Sequence, residues 1–351
     1  MRSKFLASVA AATLSIFSLS GIAAHAETFT LQGSSATGLT GVSPFAMSLS
    51  PTTDRVFYSG GMSGWSMATC TVGSTCAGAT LPFGFGTDYT QVTLQDGSQR
   101  AYFIEPSPSV KTIYTAPVSY DAAGQPQLGA KTSLGISSPA GQKAWGVPDS
   151  VVLPDGRVRL YWVAMPDGNV ASKTQPTPKQ LKCLSKKLSK ARVKAISSGA
   201  KLSAKDKKAL KTCKINASLL GSGSTSGSGA NEVILSATST DATGTSFVQD
   251  AGYRFTGGYV DSAIIQADAG KWIALVSTGP GAPPQRLYAA TSTDGLTWKV
   301  NTKALTATNV NSLDPTAVKT GTNTWRVYYS QSPASDPFSN QTVVVGNLTL
   351  K

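Results

Sequence analysis

Five segments of this chain open on the same pattern, and that repeat limits the folds available to it. Each segment begins with a small or acidic residue before a short apolar run. A turn follows, and then a strand rich in aromatic residues. The five openings are residues 42–47, 87–92, 148–152, 260–264 and 313–318. A unit of this size cannot bury an apolar face alone, so its repeats stack on one another and share a core.

The spacing of the repeats indicates a radial arrangement. The residues taken as equivalent in the five openings are Ser43, Asp88, Asp149, Asp261 and Asp314. The longest interval, between Asp149 and Asp261, contains an insertion, and the other intervals suit four-stranded sheets packed around an axis. We therefore predict an all-β, five-bladed β-propeller for residues 27–351, in which the C-terminal strand 342–350 completes the last blade. A β-sandwich is the competing fold, but it would not generate five openings in phase.

The N-terminus has the pattern of a secretory signal peptide. Arg2 and Lys4 precede an apolar run over residues 5–24, and residues 24–26 form a small-x-small cleavage signal. We predict a signal peptide over residues 1–26 and a secreted or extracytoplasmic mature protein. A retained N-terminal anchor is the alternative. No later stretch is apolar for long enough to predict a transmembrane span.

Four cysteines remain in an exported chain, an even number that favours two disulfides. Three pairings are open. Local pairing, Cys70 with Cys76 and Cys183 with Cys213, is preferred because each pair brackets one hairpin. Free thiols are not expected outside the cell, and zinc is not expected because no paired CxxC motifs occur.

The chain has a single histidine, His25, and it lies in the predicted signal peptide. The mature protein therefore has no histidine for a Ser-His-Asp triad, a Cys-His pair or a His-ligated zinc. Any catalysis must use carboxylates, tyrosine, lysine or an external metal. No motif in the sequence specifies a cofactor, a sugar or a linkage.

Residues 171–230 are interpreted as a helical hairpin and Gly/Ser linker inserted in the third blade. Residues 177–180 form a capping box with proline at the first helical position. Leucines recur after them at helical spacing, and Ser203 is placed to cap a second helix. Cys183 and Cys213 would tie the two helices together, and residues 221–229 return the chain to the sheet as a flexible linker.

The positive charge of the protein is concentrated in this insertion. Residues 171–215 contain thirteen lysines and one arginine against Asp206 alone, whereas the whole chain has a net charge of +13. The propeller is thus close to neutral. Such a hairpin would attract an anionic cell-envelope polymer, although a simply solvated helical pair is an equal alternative. The hairpin has no aromatic residues, which argues against nucleic acid as a partner.

Candidate site residues converge where the first strand of each blade lines the channel. Asp149 and Asp261 are the candidate catalytic carboxylates, because the aromatic residues Trp145 and Tyr259 lead directly into them. The candidate binding residues are Asp88, Asp314, Trp145, Tyr253, Arg254, Tyr259 and Phe85. Aromatic rings stack on sugar faces, and two carboxyl groups can divide the roles of acid and base or nucleophile. The structural alternative is that each aspartate bonds backbone amides of the neighbouring blade.

The repeat motifs resemble those of the five-bladed glycosidase propellers of glycoside hydrolase family 43 and its relatives. The motifs are the aspartates before the apolar inner strands, the turn at residues 153–157 and the Ser-x-Asp-Gly-x-Thr-Trp turn at residues 292–298, which is also similar to the Asp box of sialidases. The resemblance implies a carbohydrate ligand or substrate. The sequence departs from family 43 at Ser43, where the family places a catalytic aspartate, and none of Glu27, Glu105 and Glu232 opens an inner strand as the general acid would.

Two functions follow from the sequence. The first is a secreted carbohydrate-active propeller, either a divergent glycosidase or a non-catalytic glycan binder. The second is a cell-surface interaction protein that binds an anionic envelope polymer through its basic hairpin, with the propeller as scaffold.

Overall fold

Five antiparallel sheets surround a central channel, which confirms the predicted five-bladed propeller. The computed structural model describes residues 27–59, 64–77, 86–106, 110–138, 145–165, 178–189, 192, 203–213, 232–280, 283–335 and 340–351. The predicted signal peptide and Phe85 lie outside these residues. In the described ranges, no helix has the length and hydropathy needed to cross a membrane.

The described residues form twenty strands, which run in chain order through the blades apart from the first, β1 (Phe29–Thr40), which belongs to the last blade. Blade 1 contains β2 (Val42–Ser50), β3 (Thr53–Ser59) and β4 (Trp65–Thr71). Blade 2 contains β5 (Thr87–Thr93), β6 (Gln99–Pro106), β7 (Lys111–Tyr120), β8 (Pro126–Leu128) and β9 (Thr132–Ser137). Blade 3 contains β10 (Gly146–Val152), β11 (Val158–Ala164), β12 (Val233–Ser239) and β13 (Phe247–Gln249). Blade 4 contains β14 (Tyr259–Asp268), β15 (Lys271–Thr278), β16 (Leu287–Ser292) and β17 (Lys299–Val300). Blade 5 contains β18 (Val310–Gly321), β19 (Thr324–Pro333) and β20 (Thr342–Leu350).

Blade 5 is completed by the N-terminal strand, not by the C-terminal one as the sequence suggested. Its strand order is β1-β20-β19-β18, so β20 is the third strand and β1 forms the outer edge. The two strands pair from Phe29 opposite Leu350 to Thr40 opposite Thr342. The two ends of the chain thus close the ring through one antiparallel ladder.

Two blades differ from the expected four strands. Blade 2 has a fifth, β9, which pairs with β7. Blade 1 has fewer than four. It has three in the described residues, and an isolated bridge from Ala77 to Thr69 stands where a fourth would begin. The Cys70–Cys76 disulfide joins the end of β4 to this segment. This confirms the predicted pairing and its role in stapling the end of the third strand.

The hydrophobic core is divided into five clusters, one at each interface between neighbouring blades. Between blades 4 and 5, for example, Leu275 packs with Trp325 and Leu348. The second strand of a blade therefore has apolar neighbours on both faces, and β11, with the sequence VRLYWVA, is buried along its whole length. Strands buried on both faces read as continuous apolar runs rather than alternating ones.

The inserted hairpin forms between β11 and β12, as predicted. It contains α1 (Pro178–Lys187) and α2 (Ala204–Thr212), which the Cys183–Cys213 disulfide links. Ser203 caps α2, and its side chain and that of Asp206 form a reciprocal capping box. A small separate core contains Leu184, Leu188, Ala209 and Leu210. The first helix's predicted cap at Thr177 and the linker at residues 221–229 lie outside the described residues.

Candidate ligand-binding site

The inner strand of every blade carries a β-bulge at the same point. The register with the second strand slips between residues 42 and 45, 87 and 90, 146 and 149, 260 and 263, and 313 and 316. The first bulged residue has a left-handed backbone in all five blades. These residues are Ser43 (φ 49°), Asp88 (φ 57°), Val147 (φ 54°), Asp261 (φ 52°) and Asp314 (φ 49°). A β-bulge changes the direction of the side chain of the bulged residue, and such a bulge is present in the inner strand of each of the five blades.

The equivalent residue of blade 3 is Val147, so the sequence alignment of Asp149 with the other aspartates was wrong. Asp149 lies two residues further along β10, opposite Tyr161, in the position of Phe45 in blade 1. An apolar run follows Pro148-Asp149, as it follows the aspartates of the other blades. In the sequence, these two residues therefore look like the start of the inner strand. A β-branched residue such as valine rarely adopts a left-handed backbone, and nothing in the sequence indicated one here.

The bulged residues link blades 5, 1, 2 and 3 by hydrogen bonds. The Asp314 Oδ2 atom accepts from the Ser43 backbone N–H at 3.1 Å. The Ser43 hydroxyl donates to Asp88 Oδ1 at 3.1 Å, and Asp88 Oδ2 accepts from the Val147 N–H at 2.9 Å. Each of these contacts joins one blade to the next, so these side chains hold the inner ring together.

The remaining two interfaces are bridged in the same manner. Val147 has no carboxylate with which to contact blade 4, and Asp149 makes this contact instead. The Asp149 Oδ2 atom accepts a hydrogen bond from the Ile264 N–H of blade 4 at 2.6 Å. Asp261 accepts a hydrogen bond from the Asp314 backbone of blade 5. All five blade interfaces are therefore crossed by a polar inner-strand residue. This supports the structural alternative for these aspartates.

Asp149 faces the narrow interior of the channel. The channel has a free volume of about 30 Å³, which is room for one or two waters but not for a sugar ring. Burial raises the pKa of Asp149 to about 7, against the hydrogen bond from Ile264 that favours its ionised form. A carboxyl group in this position can stabilise the channel but is not reached by a ligand of sugar size.

A larger cavity of about 240 Å³ lies at the channel mouth, where the inner strands begin. Its lining combines carboxyl groups, one lysine, amide side chains and apolar residues. The residues that line it are Asp88, Lys111, Trp145, Gly146, Val147, Val163, Glu232, Val260, Asp261, Pro280, Gln285, Leu313, Asp314 and Gln341. Two carboxylates predicted as binding residues, Asp88 and Asp314, are thus brought together here with Asp261.

The carboxyl groups of Asp261 and Asp314 are neighbours in the cavity wall, and each affects the pKa of the other. Asp261 also accepts from the Ser277 hydroxyl at 2.6 Å. Burial raises the pKa of Asp261 to about 6. Burial, and then the charges of Asp261 and Asp88, raise the pKa of Asp314 well above its ordinary value. Two adjacent carboxyls cannot both ionise at low cost, so the pair holds one proton near neutral pH.

Glu232 is the cavity residue that the sequence analysis set aside. It precedes β12, the third strand of blade 3, and its side chain is only 2% exposed. Its Oε2 atom has no hydrogen-bond partner within the described residues. Burial raises the pKa of Glu232 to about 7. Its one sequence signal is a lone acidic residue directly before an apolar strand, which does not distinguish it from an ordinary strand boundary.

Trp145 and Lys111 form one side of the cavity. The Lys111 ammonium donates to the Trp145 carbonyl oxygen at 2.8 Å, which holds the two strands' ends together. The Trp145 side chain is only 4% exposed because it packs in the core between blades 2 and 3. It borders the cavity but does not present an open ring face as a sugar platform would.

The other predicted binding residues do not reach the cavity lining. Tyr253 is exposed, and Tyr259 packs edge-on against Tyr288. Arg254 is buried, and its guanidinium donates to the Leu296 carbonyl at 3.0 Å, so it ties blade 3 to blade 4. Tyr253 and Arg254 lie in the connection before β14, and Tyr259 is the first residue of that strand, so proximity in sequence to an inner strand did not indicate which side chains reach the cavity.

The basic hairpin presents its charge to solvent. Seven of its lysines are exposed, namely Lys182, Lys186, Lys187, Lys205, Lys207, Lys208 and Lys211. Its single carboxylate, Asp206, is 2% exposed and is paired with the Arg192 guanidinium at 2.6 Å. Arg192 and Ser203 together hold the pKa of Asp206 well below its ordinary value. The described surface of the hairpin is therefore cationic, with its carboxylate neutralised internally.

No group of histidine, cysteine, aspartate and glutamate residues in the described ranges is arranged to hold a metal ion. The chain matches no protein-family model, and no curated protein is similar to it in sequence.

Several solved structures have a similar fold. The chain aligns with an endo-arabinase from Bacteroides thetaiotaomicron at 12% identity and a TM-score of 0.52, covering 91% of this chain and 96% of that one. It aligns with an endo-1,4-β-xylanase from the same organism at 11% identity and a TM-score of 0.54, covering 91% and 97%. A variant GH43 protein from Bacillus licheniformis gives 9% identity and a TM-score of 0.50, covering 89% and 54%. The protein thus has the five-bladed propeller fold found in glycoside hydrolase family 43.

Proposed function

We propose that the protein is a secreted, non-catalytic glycan-binding propeller that holds a sugar unit in the cavity at the channel mouth. The cavity combines hydrogen-bonding carboxyl and amide groups with apolar walls, which is the composition of small-molecule sites. The two disulfides are in keeping with an extracytoplasmic location.

The observation that carries the proposal is the engagement of the inner-strand carboxylates with one another and with backbone amides. Asp88 and Asp149 accept from N–H groups of the following blade, and Asp261 and Asp314 are neighbours that affect each other's pKa. Glycoside hydrolysis needs two carboxyls about 5–9.5 Å apart, on opposite sides of the scissile bond. Asp88 and Asp149 are instead held by backbone N–H groups of the next blade, so they are not free to flank such a bond. The carboxylates thus favour ligand binding and blade cohesion over bond cleavage.

The hydrolytic alternative assigns catalysis to Asp149 and Asp261. Under that assignment, Asp149→Asn and Asp261→Asn should each lower turnover by about 10²-fold or more. The channel position of Asp149 argues against it, because the free volume of about 30 Å³ beside Asp149 is too small for a sugar ring.

A glycan array and a chromogenic-glycoside panel, both applied to residues 27–351, test the proposal. We expect binding to a subset of glycans and no release of chromophore. Turnover that is lost in Asp261→Asn but not in Asp155→Asn would establish the glycosidase instead. Asp155 is a suitable control because it lies in an exposed turn, where it pairs with Arg157.

A second candidate function is binding of an anionic envelope polymer through the hairpin. The observation that favours it is the exposure of seven lysines beside one internally paired carboxylate. Removing residues 171–230 distinguishes the two functions. The deletion should leave glycan binding unchanged if the cavity is the working site, and it should abolish partner binding if the hairpin is.

A further inference from the structure

The charged groups around the cavity are unbalanced. Among the described residues, four carboxyl groups line it, those of Asp88, Glu232, Asp261 and Asp314, and one ammonium, that of Lys111. The carboxyl groups come from β5, β14, β18 and the residue before β12, and the ammonium comes from β7, so the charged groups are spread over several blades rather than clustered on one strand. A ligand with a carboxylate or phosphate would meet repulsion here, whereas a cationic ligand would be attracted.

Glu232 provides a second and independent indication of a ligand. Its side chain is 2% exposed, it borders the cavity, and its Oε2 atom has no donor in the described part of the chain. Buried carboxylate oxygens are normally hydrogen-bonded, because leaving one unpaired is costly. A donor group on a ligand bound in the cavity can satisfy this carboxyl group.

We infer that the sugar unit bound in this cavity carries a free amino group, and that its ammonium donates to Glu232 and faces the Asp261–Asp314 pair. The inference rests on the proposed glycan binding and specifies its ligand class as an amino sugar that is not N-acetylated. An ammonium supplies donors and one positive charge. A hydroxyl supplies one donor and no charge, so it would leave the buried carboxyls uncompensated.

The size of the cavity limits the ligand to one ring. Its volume of about 240 Å³ is below the roughly 300–1,000 Å³ of sites for drug-sized ligands. Gln285 and Gln341 also line the cavity, so its lining includes two amide side chains. A terminal or single amino sugar therefore fits, whereas an extended chain would continue outside the cavity.

The affinity for a ligand with an ammonium group should depend on pH, because the cavity carboxyls that it faces bind and release protons. Burial places the pKa of Asp261 at about 6 and that of Glu232 at about 7, and it raises the pKa of Asp314 as well. A cation stabilises the ionised carboxyls, so binding near pH 6 should release protons. Affinity should therefore increase from pH 5 to pH 7, and Asp88 and Lys111 are the other charged groups that line the cavity.

Isothermal titration calorimetry of residues 27–351 tests this inference with D-glucosamine and D-galactosamine, their N-acetyl forms, and glucose and galactose as probes. Titrations at pH 5, 6 and 7, in buffers with different ionisation enthalpies, give both affinity and proton release. We expect at least one free amino sugar to bind about 10-fold or more tightly than its N-acetylated and neutral counterparts, with protons released at pH 6.

The variant Glu232→Gln should reduce the preference for the amino sugar to about 3-fold or less, because the neutral amide no longer attracts an ammonium. The matched control Glu105→Gln changes a carboxylate that is partly exposed and paired with Lys131 in blade 2, and it should leave the preference intact. Because the pH titrations use the unaltered protein, they test the inference even if Glu232→Gln does not fold.

The outcomes separate the inference from the proposed function. Equal or tighter binding of neutral or N-acetylated sugars, or uptake of protons on binding, would overturn the amino-sugar inference and leave glycan binding in place. If neither these six sugars nor any glycan on the array binds, both proposals are wrong.

Discussion

The carboxylate of Asp54 in blade 1 accepts two hydrogen bonds from the guanidinium of Arg326 in blade 5. The contact to Nη2 is 2.6 Å, and Nε makes the second. The Tyr328 hydroxyl donates to the same carboxylate at 2.8 Å. Asp54 has no exposed surface and Arg326 only 7%. This buried pair lies at the interface where the ring closes between the first and last blades.

Replacing Asp54 with asparagine should destabilise the protein by roughly 3–5 kcal/mol, because it leaves the buried Arg326 charge uncompensated. Chemical denaturation followed by tryptophan fluorescence measures the change. The control is Asp155→Asn, which breaks the exposed ion pair with Arg157 and should cost no more than about 1 kcal/mol. Equal effects of the two substitutions on the free energy of unfolding would show that the buried Asp54–Arg326 pair contributes no more to stability than an exposed ion pair.

Stability should decrease as the pH rises from 5 to 8. Folding raises the pKa of Asp149 to about 7, of Glu232 to about 7 and of Asp261 to about 6, in each case mainly by burial. At pH values between the ordinary pKa of these carboxyls and their raised pKa in the folded protein, the folded protein binds more protons than the unfolded chain. Its stability therefore falls with increasing pH. Thermal melts at pH 5 and pH 8 check the sign.

Asp149→Asn should make this pH dependence shallower. The asparagine oxygen can still accept from the Ile264 N–H, and the titrating group is gone. Asp149→Ala should instead destabilise at both pH values by roughly 1–3 kcal/mol, because it leaves the Ile264 N–H without an acceptor. A pH slope in Asp149→Asn equal to that of the unaltered protein would mean that Asp149 ionises normally when folded.

Removing the Cys183–Cys213 disulfide should unfold the hairpin and leave the propeller folded. The bridge closes a loop with a sequence separation of 30 residues, worth roughly 3–4 kcal/mol on the chain-entropy model. The core of the hairpin is a separate cluster of a few residues, so little else holds it. In Cys183→Ser/Cys213→Ser, trypsin should cut rapidly within residues 178–213, while the melting temperature of the propeller changes little. Loss of the propeller transition would contradict this independence.

The hairpin should bind anionic surfaces in a salt-dependent manner. Its exposed lysines make many solvent-exposed contacts, which are screened as the Debye length falls from about 10 Å at 0.1 M salt to about 3 Å at 1 M. Residues 27–351 should bind a heparin-like resin at low ionic strength and elute with salt. A form with a short Gly/Ser loop in place of residues 171–230 should flow through. If the form without the hairpin is retained on the resin, or if binding is unchanged in molar salt, the hairpin lysines do not mediate binding and are simply solvated.

Local sequence determined much of the fold. The period of the openings predicted five blades, the cysteine spacing predicted both disulfides, and Ser203 predicted the start of α2. Each of these features depends on residues that are close together in the chain or on a sequence repeat, so it can be recognised from the sequence alone. The concentration of lysines between residues 173 and 214 likewise needs no structure to be recognised.

Only the tertiary structure decided what the carboxylates do. The bulge puts Val147, not Asp149, in register with the aspartates of the other blades, and a slip of two residues on one strand leaves no mark in an apolar pattern. Glu232 reaches the cavity from a third strand, and Asp54 meets Arg326 across 272 residues of sequence. Such contacts depend on how five sheets are placed around a common axis. The sequence by itself determines the blades, and their packing determines which acidic groups are buried, paired or left open to a ligand.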